Sequence, residues 1–234
     1  MILVFLIAAG PAILMFRYVY RKDTIEKEPR PLLWKLVIFG ALSVILAVVL
    51  EMIGGEILGR LIPNEYSRSY ILAEMFIVVA ISEELSKFLA LKIGSWRNPA
   101  FNYTFDGLIY AICVAIGFSV VEDIMYIAST GLVTGIVRAL TFIPGHFGFA
   151  VFTGLVYSKA REAANKGNRG AATGYQFLSV ILGTIMHGFY DSCLSFGTAL
   201  TVSLFLIFVV AMYIAVFIMI RKASLNDRPI TRGY

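Results

Sequence analysis

The chain has 234 residues, 59% of them hydrophobic, and a mean hydropathy of +0.82. A soluble domain carries roughly 45–50% apolar residues, so a single water-soluble core is excluded. The net charge of +5 comes from basic residues flanking apolar runs, a pattern of membrane orientation rather than of a nucleic-acid-binding surface.

The apolar residues fall in blocks of about 20, the length that crosses roughly 30 Å of hydrocarbon as a helix. Seven spans are predicted in chain order, at 2–20, 34–54, 69–93, 106–129, 132–157, 174–196 and 198–220. The fold class is therefore an all-α, polytopic transmembrane helix bundle, with one integral-membrane domain over 1–234. The first apolar run, Met1 to Phe16, has no basic leader and no small-residue cleavage site, and reads as a retained helix. The connection 21–31, with Glu26, Glu28, Pro29 and Pro31, reads as a polar linker, and 158–172 as a second charged loop. Neither has the length of a separate domain, so function is placed in the bundle or at its faces. No internal repeat relates the two halves, which argues against many transporter folds. Cys113 and Cys193 sit inside apolar blocks with neither disulfide nor metal spacing, and read as core residues.

The basic residues alternate between connections. Arg17, Arg21, Lys22, Lys27, Arg30 and Lys35 flank the first; Lys92 and Arg97 the third; Lys159, Arg161, Lys166 and Arg169 the fifth. Arg221, Lys222, Arg228 and Arg232 form the tail, so one side holds sixteen of the twenty basic residues. By the positive-inside rule that side is cytoplasmic, which puts the N-terminus outside and the C-terminus inside.

Spans three to six carry Glu83, Glu84, Lys87, Glu122, Asp123, Arg138, His146, His187 and Asp191. A charged residue at a helix centre costs about 2.5–3.5 kcal/mol on insertion scales. Spans 2–20, 34–54 and 198–220 are nearly free of such groups, Glu51 excepted, and are expected to be peripheral to a core of 69–196. Glu83 and Glu84 share a face with Lys87, and His187 shares one with Asp191 four residues on. Ser119, Glu122 and Tyr126 form another stripe, and Pro144 precedes His146 in a segment where a kink is expected. Each group alone has a structural reading, as a span-end ion pair, a packing histidine or, for Arg138, a counter-ion of Asp123 or Asp191. Four neighbouring helices would then each need a separate reason. A shared polar cavity is the simpler explanation.

Paired carboxylates and histidines on separate helices suit activation of water, because a carboxylate removed from water is a stronger base and a histidine can steady an oxyanion or bind a metal. Zinc takes such ligands and keeps an open position when catalytic. There is no HExxH and no GxSxG, so hydrolysis by water is favoured over an acyl-enzyme.

The run Glu83-Glu84-Leu85-Ser86-Lys87 fits EExxK, Phe118 to Glu122 fits FxxxE, and His187 to Asp191 fits HxxxD. With Phe105-Asp106-Gly107 and the Arg138 to His146 segment, these resemble the PrsW family of membrane proteases, distantly similar to the CAAX-prenyl-protease and bacteriocin-processing group. The resemblance runs from about Gly10 to Ser192. It implies a protease of the bacterial plasma membrane that makes the first, extracytoplasmic cut in a single-pass membrane anti-sigma factor, activating an extracytoplasmic-function sigma factor. It implies Glu83, Glu84 and His187 as essential, with Glu122, His146 and Asp191 in support. The wider group has FxxxH where this chain has Phe118 and Glu122, which leaves open a glutamate-type mechanism or a zinc held by a set drawn from Glu84, Glu122, His146 and His187. Lys87, Arg138 and Asp123 are expected to support the site structurally. Rival readings are a proton-coupled transporter and a non-catalytic membrane protein that binds a partner. Taking Glu74 as interfacial and the third span as starting near Met75, the site is expected to open outward, with the substrate cut near the outer end of its span.

Overall fold

The computed structural model describes residues 2–230; Arg232 of the basic tail lies outside them. The architecture is all-helical: α1 (Ile2–Lys22), α2 (Arg30–Leu61), α3 (Arg68–Ala73), a π-helical stretch (Glu74–Ala80), α4 (Ile81–Ser95), α5 (Asp106–Thr130), α6 (Leu132–Asn165), α7 (Arg169–Phe196) and α8 (Ala199–Leu225). Among the described residues five helices are long and apolar enough to cross a membrane: α2, α5, α6, α7 and α8.

The boundaries follow local chemistry. Pro29 precedes α2 and Pro31 lies in its first turn, where a missing N–H costs nothing. Ser67 caps α3 by accepting the Tyr70 N–H at 3.1 Å. Thr198 and Thr201 form a capping box at the start of α8. A single residue, Gly131 with φ 96°, separates α5 from α6 and turns them into antiparallel neighbours.

Three expected spans differ; the one expected at 132–157 runs on as α6 to Asn165, so that most of the charged loop expected at 158–172 is helical. The span expected at 34–54 extends without a break to Leu61, because Gly54 packs against Val78 rather than ending the helix. The segment 69–93 is divided by the π-helical stretch, whose Phe76 ring fills the space left by the missing side chain of Gly188. α6 runs without interruption through Pro144.

α5 is the central element. Leu108, Ile109, Tyr110, Ile112, Cys113 and Val114 are fully enclosed, with α2 on one side and α6 on the other. The two thiols are buried and free. α2 crosses α5 where both backbones are bare: a Cβ on Gly40 would strike the Val114 carbonyl, and one on Gly117 the Val37 carbonyl. Small residues allow such close approach between membrane helices. Gly117→Leu should overpack this crossing by about 1–3 kcal/mol and lower the thermal midpoint in detergent by about 2–12 °C. An unchanged midpoint in differential scanning fluorimetry would refute the close crossing. The outer faces of α2 and α8 stay apolar and exposed, with Ile38, Leu42 and Ile45 on one and Leu206, Ile207 and Val210 on the other. In lipid such faces need no cover.

The polar linker between α1 and α2 is packed against the bundle. Asp23 and Glu28 are buried beneath the basic end of the bundle, and the Tyr110 hydroxyl donates to Glu28. Burial pushes the Asp23 carboxyl up to about 6 and raises Glu28 as well. Asp227 of the tail accepts hydrogen bonds from the Thr104 hydroxyl at 3.0 Å and the Phe105 N–H at 2.9 Å. The linker, the α4–α5 loop and the tail thus close the basic end together.

Candidate active site

Four elements bring the nine ionisable residues of the inner helices into one network. α4 contributes Glu83, Glu84 and Lys87; α5 Glu122 and Asp123; α6 Arg138 and His146; α7 His187 and Asp191. Glu83, Glu84, Lys87, Asp123, Arg138, His146 and His187 are all buried.

The contacts run in a chain. Asp191 Oδ2 lies 3.1 Å from His187 Nε2, and His187 Nδ1 lies 3.1 Å from Glu84 Oε1. Glu84 Oε1 is 2.6 Å from Lys87 Nζ, which is 3.0 Å from His146 Nδ1. His146 Nε2 is 2.9 Å from Glu122 Oε2, and Glu122 pairs with Arg138. Glu83 Oε2 sits among them, 3.3 Å from Lys87, 3.9 Å from His146 and 3.8 Å from His187. An ammonium has only protons to give, so His146 Nδ1 accepts from Lys87 and Nε2–H donates to Glu122. Both nitrogens of His187 face carboxylates, so that ring is oriented from two sides.

Local packing sets these positions. The π-helical stretch ends three residues before Glu83, and such stretches change a helix's register at functional sites. Gly183 lies one turn before His187 on α7, and a Cβ there would come within 2.7 Å of Glu84 Oε2. The two histidine rings meet edge to face with centroids 5.1 Å apart, and Phe149 stacks on His187 at 5.3 Å. Gly183→Val should displace the Glu84 carboxylate and cut catalytic turnover by about 10²-fold, since a shift near 1 Å is enough for that. Wild-type turnover in this variant would show that Glu84 tolerates displacement.

Arg138 is a buried counter-ion, as expected, with one expected partner, Asp123, and a nearer one that was not expected. Its main partner is Glu122, with Asp123 at 3.7 Å, while Asp191 is taken by His187. The guanidinium is held between the rings of Tyr126 and Phe142, at 3.5 and 4.0 Å from their centroids. Glu51 of α2 was read only as an exception near a span end. It is half-buried and lies within electrostatic reach of Glu122, His187, Lys87 and Asp191. Its isolation in an apolar span was the available signal. Among the described residues the Ser119 hydroxyl bonds only to the Ile116 carbonyl of its own helix.

Glu83, His146 and His187 each offer a ligand atom within 4.8 Å of the others. Two imidazoles and a carboxylate form a donor set used by catalytic zinc. Asp191 on the far nitrogen of His187 is the kind of partner that fixes a metal-binding ring. The charge balance points the same way, with five carboxylates set against Lys87 and Arg138, a surplus that a dication would offset. Beside the cluster a cavity of about 20 Å³ touches Glu84, Lys87 and His146, with Phe88, Leu91 and Val114 below. That is space for one water with polar partners.

Over residues 28–220 the chain matches the family described as PrsW family intramembrane metalloprotease. It is 29% identical over 188 residues to the protease PrsW of Geobacillus kaustophilus (strain HTA426), covering 80% of this chain and 78% of that protein. To the protease PrsW of Oceanobacillus iheyensis it is 27% identical over 214 residues, covering 89% of this chain and 93% of that one. To that of Clostridioides difficile (strain 630) it is 28% identical over 213 residues, covering 89% and 86%. No solved structure matches the chain.

Proposed function

We propose, from the premise that the chain belongs to the PrsW family of intramembrane metalloproteases, that it makes the first, extracytoplasmic cut in a single-pass, membrane-anchored anti-sigma factor of a bacterial plasma membrane. The observation that carries the reading is the convergence of Glu83, Glu84, His146 and His187 from three helices on one buried point. A buried cluster of this kind is costly in lipid and needs a function to justify it.

In this reading seven segments span the bilayer: the five long apolar helices, α1, and the continuous helical unit from α3 through the π-helical stretch to α4. The fifteen described basic residues at one end support a cytoplasmic side there, with the N-terminus outside. Glu122 and His187 then lie about 12–14 Å below the outer ends of α5 and α7 at 1.5 Å per residue. The domain is a single unit, with α4 to α7 carrying the site and α1, α2 and α8 around it.

The roles follow from geometry. Glu84 is the general base for a water seated beside it, positioned by His187 and by Lys87. His187, held between Asp191 and Glu84, orients the base. His146 is held by Glu122, which Arg138 fixes. Glu83, His146 and His187 are the residues that would hold a zinc ion, and such an ion would polarise the water and the scissile carbonyl. The purified chain, given a single-pass substrate, should lose cleavage with 1,10-phenanthroline and recover it when zinc is restored. Full activity in the chelator would assign the chemistry to the carboxylates without metal.

A further inference from the structure

At the basic end of the bundle, away from the ionisable cluster, α6, α7 and α8 part around a second cavity. In their outer halves α7 and α8 pack closely, with Phe189 on Phe208 at 4.9 Å and Tyr190 on Phe205 at 4.7 Å between ring centroids. Lower down the helices leave an open cleft of about 470 Å³, walled by Phe152, Leu155, Val156, Leu182, Met219 and Ala223. That volume is within the range of about 300–1,000 Å³ typical of small-molecule sites.

The rim has a different character. Lys159, Lys222 and Arg228 line it, with Glu162 the one acid. Glu162 is already matched, accepting from Arg228 at 2.8 Å and from Lys166 at 2.8 Å. Lys159 and Lys222 are exposed, and among the described residues neither ammonium group takes part in an ion pair, hydrogen bond or ring contact. Two uncommitted ammonium groups thus stand over an apolar slot between membrane helices.

We propose that this cavity binds one anionic phospholipid, its phosphate between Lys159 and Lys222 and an acyl chain between α6, α7 and α8. Apolar walls accept the chain, and basic residues at the membrane surface favour an anionic headgroup over a zwitterionic one. A lipid seated there would fasten α8 to α6 and α7 where their own side chains leave a gap. The inference rests on the membrane placement of the helices and not on the protease reading.

The test uses the full chain, purified in detergent and stripped of lipid, then titrated with dioleoylphosphatidylglycerol or dioleoylphosphatidylcholine and read by native mass spectrometry. Phosphatidylglycerol is expected to bind one to one, and more tightly than phosphatidylcholine. The Lys159→Gln, Lys222→Gln double variant changes only exposed side chains and should bind it about 30-fold more weakly, at about 1 kcal/mol per lysine and 1.4 kcal/mol per tenfold. Ala223→Phe fills the slot while keeping both lysines, and should also reduce binding by tenfold or more. Equal affinity for the two lipids, or unchanged binding by the double variant, would overturn the proposal. So would unchanged binding by Ala223→Phe, which would place the lipid on the outer surface. Displacement of the lipid by millimolar inorganic phosphate alone would mark a simple anion site, and would overturn it too.

Discussion

Glu84→Gln and His187→Ala are each expected to lower cleavage of a single-pass substrate by about 10²–10⁴-fold, the usual contribution of a positioned acid or base. Glutamine keeps the shape of Glu84 and its bond to Lys87 through the amide oxygen, but it cannot take a proton from water. Lys87 retains Glu83 at 3.3 Å, so its charge stays compensated and the fold should survive. His187→Ala removes the group between Glu84 and Asp191, leaving the base unoriented. Both variants should reach the membrane in near wild-type amounts. Initial rates with purified protein check this. Rates within tenfold of wild type in both would mean that these residues only hold the bundle together.

Arg138→Ala should act in the opposite way, on stability first. It would leave Glu122 and Asp123 without their cation and empty the space between Tyr126 and Phe142. Removing one partner of a buried ion pair costs about 3–5 kcal/mol. The amount of inserted protein should therefore drop sharply, and the thermal midpoint of what remains should fall. Arg138→Lys keeps the charge but loses the planar stacking and the fork, and should lie between. Quantitative blotting of membranes with a melting curve measures both. An alanine variant that accumulates and melts like wild type would show that solvent, not Arg138, compensates the two acids.

The two variants depend on different kinds of information, and the sequence made only one kind readable. The pairs Glu83 with Lys87 and His187 with Asp191 lie one helical turn apart, so their contacts follow from the helix itself. Contacts between helices depend on how each is rotated about its axis. For that reason Arg138 could be recognised as a buried cation while its partner was read as Asp123 or Asp191 and is mainly Glu122. Glu51 could be seen as an oddity in α2 but not as a neighbour of the site. The π-helical stretch left no trace, because Glu74 to Ala80 fits an ordinary helix by composition and its packing on Gly188 is a tertiary fact. The burial of Asp23 and Glu28 was hidden for a related reason. A short charged run between apolar helices normally faces water, and their burial depends on Tyr110 and on a tail some 200 residues away. The EExxK, FxxxE and HxxxD motifs were readable because charge within an apolar helix is costly enough to stand out.

Mapping the cleavage product by mass spectrometry tests the central claim most directly, since it reports both whether the cluster hydrolyses a peptide and at what depth. With purified wild-type chain and a candidate anti-sigma factor, the account predicts a single cut near the outer end of the substrate's membrane span, and no such product from Glu84→Gln. A cut at the cytoplasmic end of that span, or the same product from the variant, would contradict it.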